Sequence, residues 1–333
     1  MRGGHTIRSG ADPGLPAEAE MVWVRAGSFT MGSDRHYPEE APAHRVALDG
    51  FFIDRTPVTN CAFSDFVAAT GHVTLAERAP CREDYPGADP HLLVPGSLVF
   101  TPPGEAGGRE DWMRWWRFVP GADWRHPQGP GSDLSGREDH PVVHVCHDDA
   151  RAYARWRGKE LPSEAEWEFA ARGGLDGMDF AWGEELAPGG VHLANTWQGA
   201  FPHENLAEDG YVGTSPVAAF PPNGFGLHDM IGNVWEWTDD WYAPRHLLRN
   251  HADTAPSTKP CCLPRNPRGA RWEESLDPLA PGGPAPRKVL KGDSHLCAPS
   301  YCRRYRPAAR QPQTVDTASV HIGFRCIRRS TTS

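Results

Sequence analysis

The run Leu161-Pro-Ser-Glu-Ala-Glu-Trp-Glu-Phe-Ala-Ala-Arg-Gly-Gly174 carries the clearest local signal in the chain. Ser163 followed by Glu166 three residues on is a capping box, in which each side chain satisfies a backbone N–H the first helical turn leaves over. Trp167, Ala170 and Ala171 form the apolar side of the helix, and Gly173-Gly174 ends it. Just upstream, His140-Pro-Val-Val-His144-Val-Cys146 reads as a strand. Asp148 and Asp149 then open a second helix whose acidic first turn suits the helix dipole. Its face is Ala152, Tyr153 and Trp156, and Gly158 stops it. Another helix follows Thr56-Pro-Val-Thr-Asn60, with Phe63, Phe66 and Val67 at helical spacing and Gly71 as the stop. Met21–Val24 reads as a strand, and His44–Asp49 with Gly50–Asp54 as an antiparallel pair.

Between 76 and 140 the chain is rich in Pro and Gly and has little periodicity, which is unusual inside a compact domain. Trp115, Trp116 and Trp124 in this stretch are expected to cover the core. Residues 245–289 read as an inserted surface loop holding Cys261-Cys262, and residues 1–20 as a disordered tail. The expected class is α+β, loop-rich, with low regular secondary structure, in a single domain over 21–330. The composition agrees: Gly 35 and Pro 33 among 333 residues punctuate helices and strands throughout. A net charge of −9 argues against a nucleic-acid binder, which carries a basic face. No apolar run has the length of a membrane span. Met1–Glu20 lacks the apolar stretch of a secretory signal. Eight cysteines without such a signal fit a reducing, cytoplasmic setting.

The chemistry concentrates in Lys291-Gly-Asp-Ser-His-Leu-Cys297-Ala-Pro-Ser-Tyr-Cys302-Arg-Arg-Tyr-Arg-Pro-Ala-Ala-Arg310. Thiolates are the nucleophiles and soft-metal ligands of proteins, and neighbouring Arg charge favours the ionised form. Two thiolates held close prefer an ion such as Cu(I). A structural disulfide, or two inert buried thiols, satisfies the spacing equally well. Upstream, Asn195-Thr-Trp-Gln-Gly199, Glu208-Asp209-Gly-Tyr211 and His228-Asp229-Met-Ile-Gly232-Asn-Val-Trp235-Glu236-Trp237 gather the oxygen-bearing residues a hard cation uses. Solvated loop residues have the same composition.

Ser294, Cys297, Ser300-Tyr301-Cys302-Arg303-Arg304-Tyr305-Arg306, Ala309-Arg310 and Gly323-Phe324-Arg325-Cys326 resemble the C-terminal signature of the formylglycine-generating enzymes, the sulfatase-modifying factors. Leu161–Gly174 is similar to a segment of the wider superfamily and reports its C-type-lectin-like fold rather than an activity. The resemblance implies a Cu(I)-dependent oxidase. Cys297 and Cys302 would hold the copper, and the cysteine of an unfolded sulfatase's Cys-x-Pro-x-Arg segment would join as a third thiolate. With O2 as co-substrate, that cysteine becomes Cα-formylglycine. It further implies Ser294, Tyr301 and Trp235 around the oxygen pocket and His321 near bound substrate. Two structural Ca2+ sites are implied as well: Asn195 and Asp209 with carbonyls of Thr196 and Tyr211, and Asp229 and Glu236 with carbonyls of Gly232 and Val234. The protein is expected to act as a monomer.

Some positions depart from the family. Asp293 stands for a Gly, His295 for a Tyr, Ala298 for a His, His321 for an Asn and Asp229 for an Asn. Ala154, Ala171 and Pro307 replace three of the four cysteines that form disulfides in secreted relatives, which leaves Cys326 unpaired. Other readings are a non-catalytic peptide-binding relative and a thiol–disulfide oxidoreductase. Against the latter, the motif is Cys-x4-Cys and no βαβ pattern surrounds it. The chain is not itself a sulfatase, since Tyr301 sits where the modification motif needs Arg.

Overall fold

A computed structural model describes residues 20–83, 85, 87–103, 115–246, 263–280 and 283–330. Residues 1–19 of the expected tail and residues 247–262 and 281–282 of the expected 245–289 insertion, Cys261-Cys262 among them, lie outside these residues. In chain order the elements are β1 Met21–Val24, β2 Gly27–Met31, β3 His44–Leu48, β4 Phe51–Asp54, α1 Asn60–Thr70, β5 Gly96–Phe100, β6 Trp116–Pro120, α2 His147–Trp156 and α3 Glu164–Arg172. Then come β7 Trp235–Trp241, β8 Leu276–Asp277, β9 Ala285–Lys291, β10 Arg310–Thr314, β11 Ile322–Gly323 and β12 Ile327–Arg329. Among the described residues, short strands, three α-helices of at most 11 residues and long connections give the expected α+β, loop-rich class.

The helices start where their caps place them. Thr59 accepts from the Ala62 N–H ahead of α1, and Gly71 closes it in the left-handed region at φ 69°. Ahead of α3, Ser163 Oγ accepts from the Glu166 N–H at 3.2 Å while Glu166 Oε2 accepts from the Ser163 N–H at 2.7 Å. This is the reciprocal pairing read from the sequence.

The strands depart from expectation in three places. β3 and β4 do not pair with each other: β3 pairs with β2, and β4 lies between β1 and β12. Strands on either side of a short turn have alternative partners, and here both choose one more distant than the turn. Residues 140–146 form no strand; His144 adopts φ 59°, which breaks the extended run, and its ring is bonded to Ser97 and the Pro127 carbonyl. The 245–289 insertion ends earlier than expected, because 285–291 is β9, a central strand between β10 and β7. Its sequence, Ala-Pro-Arg-Lys-Val-Leu-Lys, reads as surface, yet Lys288 and Lys291 are buried and paired with acids.

Two main cores result. One gathers Phe63, Phe66, Tyr153, Trp237 and Phe324 between α1, α2 and β7. The other gathers Phe29, Phe51, Trp167 and Ile327 between α3 and the β1–β4–β12 sheet. The second core positions the chemistry, because α3 stands at its edge with its glutamates facing the end of β9.

Candidate functional site

β9 and β10 are antiparallel neighbours, with Lys291 opposite Arg310. Residues 292–309, which include both cysteines, are therefore one long connection whose ends are pinned side by side. The pin is α3. Glu164 and Glu168 lie one turn apart on it: Glu168 pairs with Lys291 at 3.1 Å and Glu164 with Arg310 at 2.7 Å, all with side chains 2 % exposed or less. Arg172 completes the network on Glu168 at 2.7 Å. Glu164 and Glu168 also converge with His246, but these glutamates are neutralised by Lys291, Arg310 and Arg172 and are spent as a metal site. The chain leaves β9 through Gly292 at φ 90°, where a Cβ would come within 2.9 Å of the Trp167 ring. The Ser163-capped helix thus clamps the loop that holds the cysteines.

Inside the loop, the Cys302 N–H donates to the Ala298 carbonyl at 2.8 Å and turns the chain back on itself. This brings both thiols, free and unbridged, to one point with the Asp293 carboxylate. The Cys297 thiol donates to the Cys302 carbonyl at 2.7 Å, and the Cys302 thiol lies 3.6 Å from Asp293 Oδ2. The two sulfurs and the carboxylate oxygen are all within 4.8 Å of one another. Cys297 is buried and Cys302 partly exposed, so the group opens outward on the Cys302 side.

The electrostatics differ from the expectation that adjacent arginines ionise the thiols. Burial pushes the Cys297 thiol well above its ordinary value, and Cys302 and Asp293 push it further. Three of the four arginines that follow are committed elsewhere: Arg304 to Glu39 at 2.5 Å, Arg306 to Glu40 at 2.5 Å and Arg310 to Glu164. Burial also raises the Asp293 carboxyl, to about 7.

Tyr301, next to Cys302, joins the loop to a neighbouring aromatic cluster. Tyr301 stacks on Phe201 with centroids 4.7 Å apart and meets the edge of Trp115 at 5.2 Å. Trp197 and Trp115 both pack edge-on against Phe201. Trp116 lies against the His321 ring at 4.6 Å. Tyr37 accepts the Arg303 N–H at 3.2 Å, and its phenol, with those of Tyr301 and Tyr305, is raised by burial and by the two cysteines. Ser294 is buried and accepts from the Leu296 N–H at 3.3 Å. Trp235 packs in the core of Phe63 and Trp237, a different cluster from that of Cys297. His321 bonds Ser319 at 2.8 Å, and its environment holds it neutral, down to about 3, through burial and then the His295 and His144 rings. Tyr37, Phe201 and Trp197 carry no role in the sequence reading. Each comes from a distant segment, and only the Pro/Gly-rich connections give any sign of a groove.

The two oxygen-rich segments also converge. The Asn233 N–H donates to the Asn195 carbonyl at 2.9 Å, and Gly232, at φ 75°, has room for no Cβ against that carbonyl. In the first set, Asp209 accepts from the Thr196 and Tyr211 N–H groups at 2.9 Å each, while Asn195 Oδ1 is buried without a hydrogen-bond partner. In the second, Asp229 Oδ1 is likewise buried and unpartnered. Glu236 is bound to Arg325 at 2.7 Å and accepts from Trp167 Nε1 at 2.8 Å. A carboxylate offers about four lone-pair positions, and Arg325 and Trp167 fill those of Glu236 with four contacts, so the open oxygen of this set is that of Asp229. Two orphaned buried oxygens, one per set, are what a missing hard cation would leave behind.

The profile of the Sulfatase-modifying factor enzyme 1-like domain matches residues 11–330. The chain is 53% identical over 308 residues to the formylglycine-generating enzyme of Mycobacterium tuberculosis, covering 92% of this chain and 97% of that one. It is 45% identical over 324 residues to the formylglycine-generating enzyme of Streptomyces coelicolor, covering 95% and 92%. Among solved structures, PvdO from Pseudomonas aeruginosa superposes with a TM-score of 0.58 at 27% identity, covering 93% of this chain and 94% of that one. With the clamped loop and its paired thiols, these matches establish that the protein belongs to the sulfatase-modifying factor family of formylglycine-generating enzymes.

Proposed function

We propose that the protein converts the cysteine of a Cys-x-Pro-x-Arg segment in an unfolded sulfatase to Cα-formylglycine, using O2 and one Cu(I) held by Cys297 and Cys302. The observation that carries this reading is the pair of free sulfurs within 4.8 Å, one buried and one reachable from outside. Two metal–sulfur bonds of about 2.3 Å laid end to end span about 4.6 Å, which that separation permits. Bound there, copper would supply an open coordination position for the substrate thiolate and for oxygen.

The chain's own residues have separable tasks. Cys297 and Cys302 each surrender a proton on taking up the ion, because thiolates are the ligands. The turn on Ala298 and the α3 clamp hold them at fixed spacing. Tyr301, fixed on Phe201 and Trp115 and next to Cys302 in the chain, is half-exposed and offers its phenol at the outward edge of the pair. Ser294 and His321 are proposed to contact oxygen and substrate, and Trp235 to back the site from the core. Trp116 and His321 offer an aromatic edge for an extended peptide. Asn195, Thr196, Asp209 and Tyr211 are proposed as one Ca2+ site, and Asp229, Gly232, Val234 and Glu236 as the other. The two orphaned oxygens support both. We further propose that the protein is a cytoplasmic monomer.

The test is to incubate the purified chain with Cu(I), O2, a thiol reductant and a Cys-x-Pro-x-Arg peptide, and to read peptide mass. The expected product is the aldehyde, trapped as a hydrazone. Cys302→Ser should abolish turnover with an unchanged circular dichroism spectrum. Retained turnover in that variant would remove Cys302 from the assignment, and no product from copper-loaded wild type would remove the activity.

A further inference from the structure

Asp293 occupies a position the rest of the site does not explain. It sits at φ 64°, a left-handed conformation that glycine adopts without cost, yet it carries a carboxylate into a buried place. One oxygen accepts the Ser294 N–H at 2.7 Å; the other points at Cys302 Sγ from 3.6 Å. A tetrahedral ion with bonds of about 2.3 Å to sulfur and about 2.1 Å to oxygen sets those two atoms about 3.6 Å apart. Cys297 Sγ is within 4.8 Å of both. A tetrahedral ion sets its donor atoms about 3.6–3.8 Å apart, inside that limit, so the three donors can take the corners of one face of a coordination tetrahedron. The fourth corner lies on the partly exposed Cys302 side, as where a catalytic zinc keeps its water.

Charge favours the same ion. Two thiolates and a carboxylate sum to three negative charges in a largely buried place. The cost of burying net charge rises steeply with its size. A monovalent ion leaves two negative charges uncompensated and a divalent ion leaves one. Three arginines later in the loop, Arg304, Arg306 and Arg310, are already paired with Glu39, Glu40 and Glu164, which offsets most of their charge. A carboxylate is also a harder donor than a thiolate and shifts preference from Cu(I) toward borderline divalent ions.

We propose that Asp293, Cys297 and Cys302 form a three-donor site for a divalent borderline cation of the zinc class, which competes with Cu(I) for the same sulfurs. The proposal rests on the reading of the two cysteines as the copper pair, and adds a third ligand that belongs to this chain.

The experiment compares the full-length apo protein with Asp293→Gly, Asp293→Asn and Cys302→Ser. Zn2+ is titrated against a chromophoric chelator, and Cu(I) against a Cu(I)-selective one. Co2+ spectra report coordination number. Glycine and asparagine both accept the left-handed backbone, so the fold is expected to survive and is checked by thermal melting. Wild type should bind one Zn2+ and give the intense visible bands of four-coordinate Co2+. Both Asp293 variants should bind Zn2+ at least about tenfold more weakly, lose those bands, and keep Cu(I) affinity within about threefold. Zn2+ affinity unchanged in the Asp293 variants, or no Zn2+ bound by a wild type that does bind Cu(I), overturns the third ligand and leaves the copper reading standing. Cu(I) affinity unchanged in Cys302→Ser overturns the copper reading itself.

Discussion

Cys297 shows how far a residue can be read from its neighbours in sequence. The spacing to Cys302 and the surrounding motif identify the pair. The run of arginines after Cys302 then suggests ionised thiols, and the structure reverses that inference. Arg304 and Arg306 pair with Glu39 and Glu40, acids that precede them by more than two hundred residues, and burial rather than their charge sets the Cys297 thiol. Nothing local in the sequence marks such pairings. Asp293 is visible in the sequence only as an odd residue at a glycine position, and its place beside Cys302 emerges from the fold. The raised Cys297 thiol has a consequence for binding. The Cys297 thiol must lose its proton to the solvent when an ion enters, so Cu(I) uptake should tighten by about tenfold per pH unit near neutrality through this residue. Competition titrations at several pH values check this; a pH-independent affinity would mean thiolates are present beforehand.

Among elements, the helices are legible in the sequence and the strand pairings are not. Caps and stop signals are local chemistry, and Thr59, Ser163, Glu166, Gly71 and Gly173 all do what their types predict. Strand pairing is a choice among distant partners. β9 is concealed because its Lys288 and Lys291 read as surface until Asp239 and Glu168 are seen to meet them. The same kind of long-range ion pair fastens the site loop to the body. Arg306 and Glu40, with side chains 1 % and 0 % exposed, join residues 292–309 to the segment between β2 and β3. Removing one partner leaves a buried charge alone, so Arg306→Met should cost about 3–5 kcal/mol. The double variant Arg306→Met with Glu40→Leu should recover much of that loss. Urea unfolding of the two single variants and the double measures it; equal stability of wild type and Arg306→Met would show the pair to be dispensable.

At the scale of the whole molecule, the Gly and Pro content correctly foretells a fold made mostly of connections, and such a fold leans on buried polar groups. His144 and His295 are both buried and held neutral, each down to about 4 from 6.5, with burial the main cause. The unfolded chain binds protons there that the folded chain refuses, so their contribution is complete above pH 6.5 and declines as pH falls toward 4. By pH 5 each should have cost about 2 kcal/mol. Thermal melts from pH 8 to 5 should show a steep fall in Tm below pH 6.5, reduced by His295→Phe. The orphaned oxygens of Asn195 and Asp229 predict a second dependence. A cation bound only by the folded chain at a hundred times its Kd adds about 2.7 kcal/mol. Chelation should therefore lower Tm, Ca2+ should restore it, and Asn195→Ala should blunt the response; a Tm indifferent to Ca2+ would leave those oxygens to water.

The fold is arranged around one point where two sulfurs meet. Copper K-edge X-ray absorption on Cu(I)-loaded protein tests that point directly. The proposed site predicts one copper per chain with two sulfur neighbours, one of them lost in Cys302→Ser. Nitrogen or oxygen neighbours alone, or a spectrum unchanged by that substitution, would contradict it.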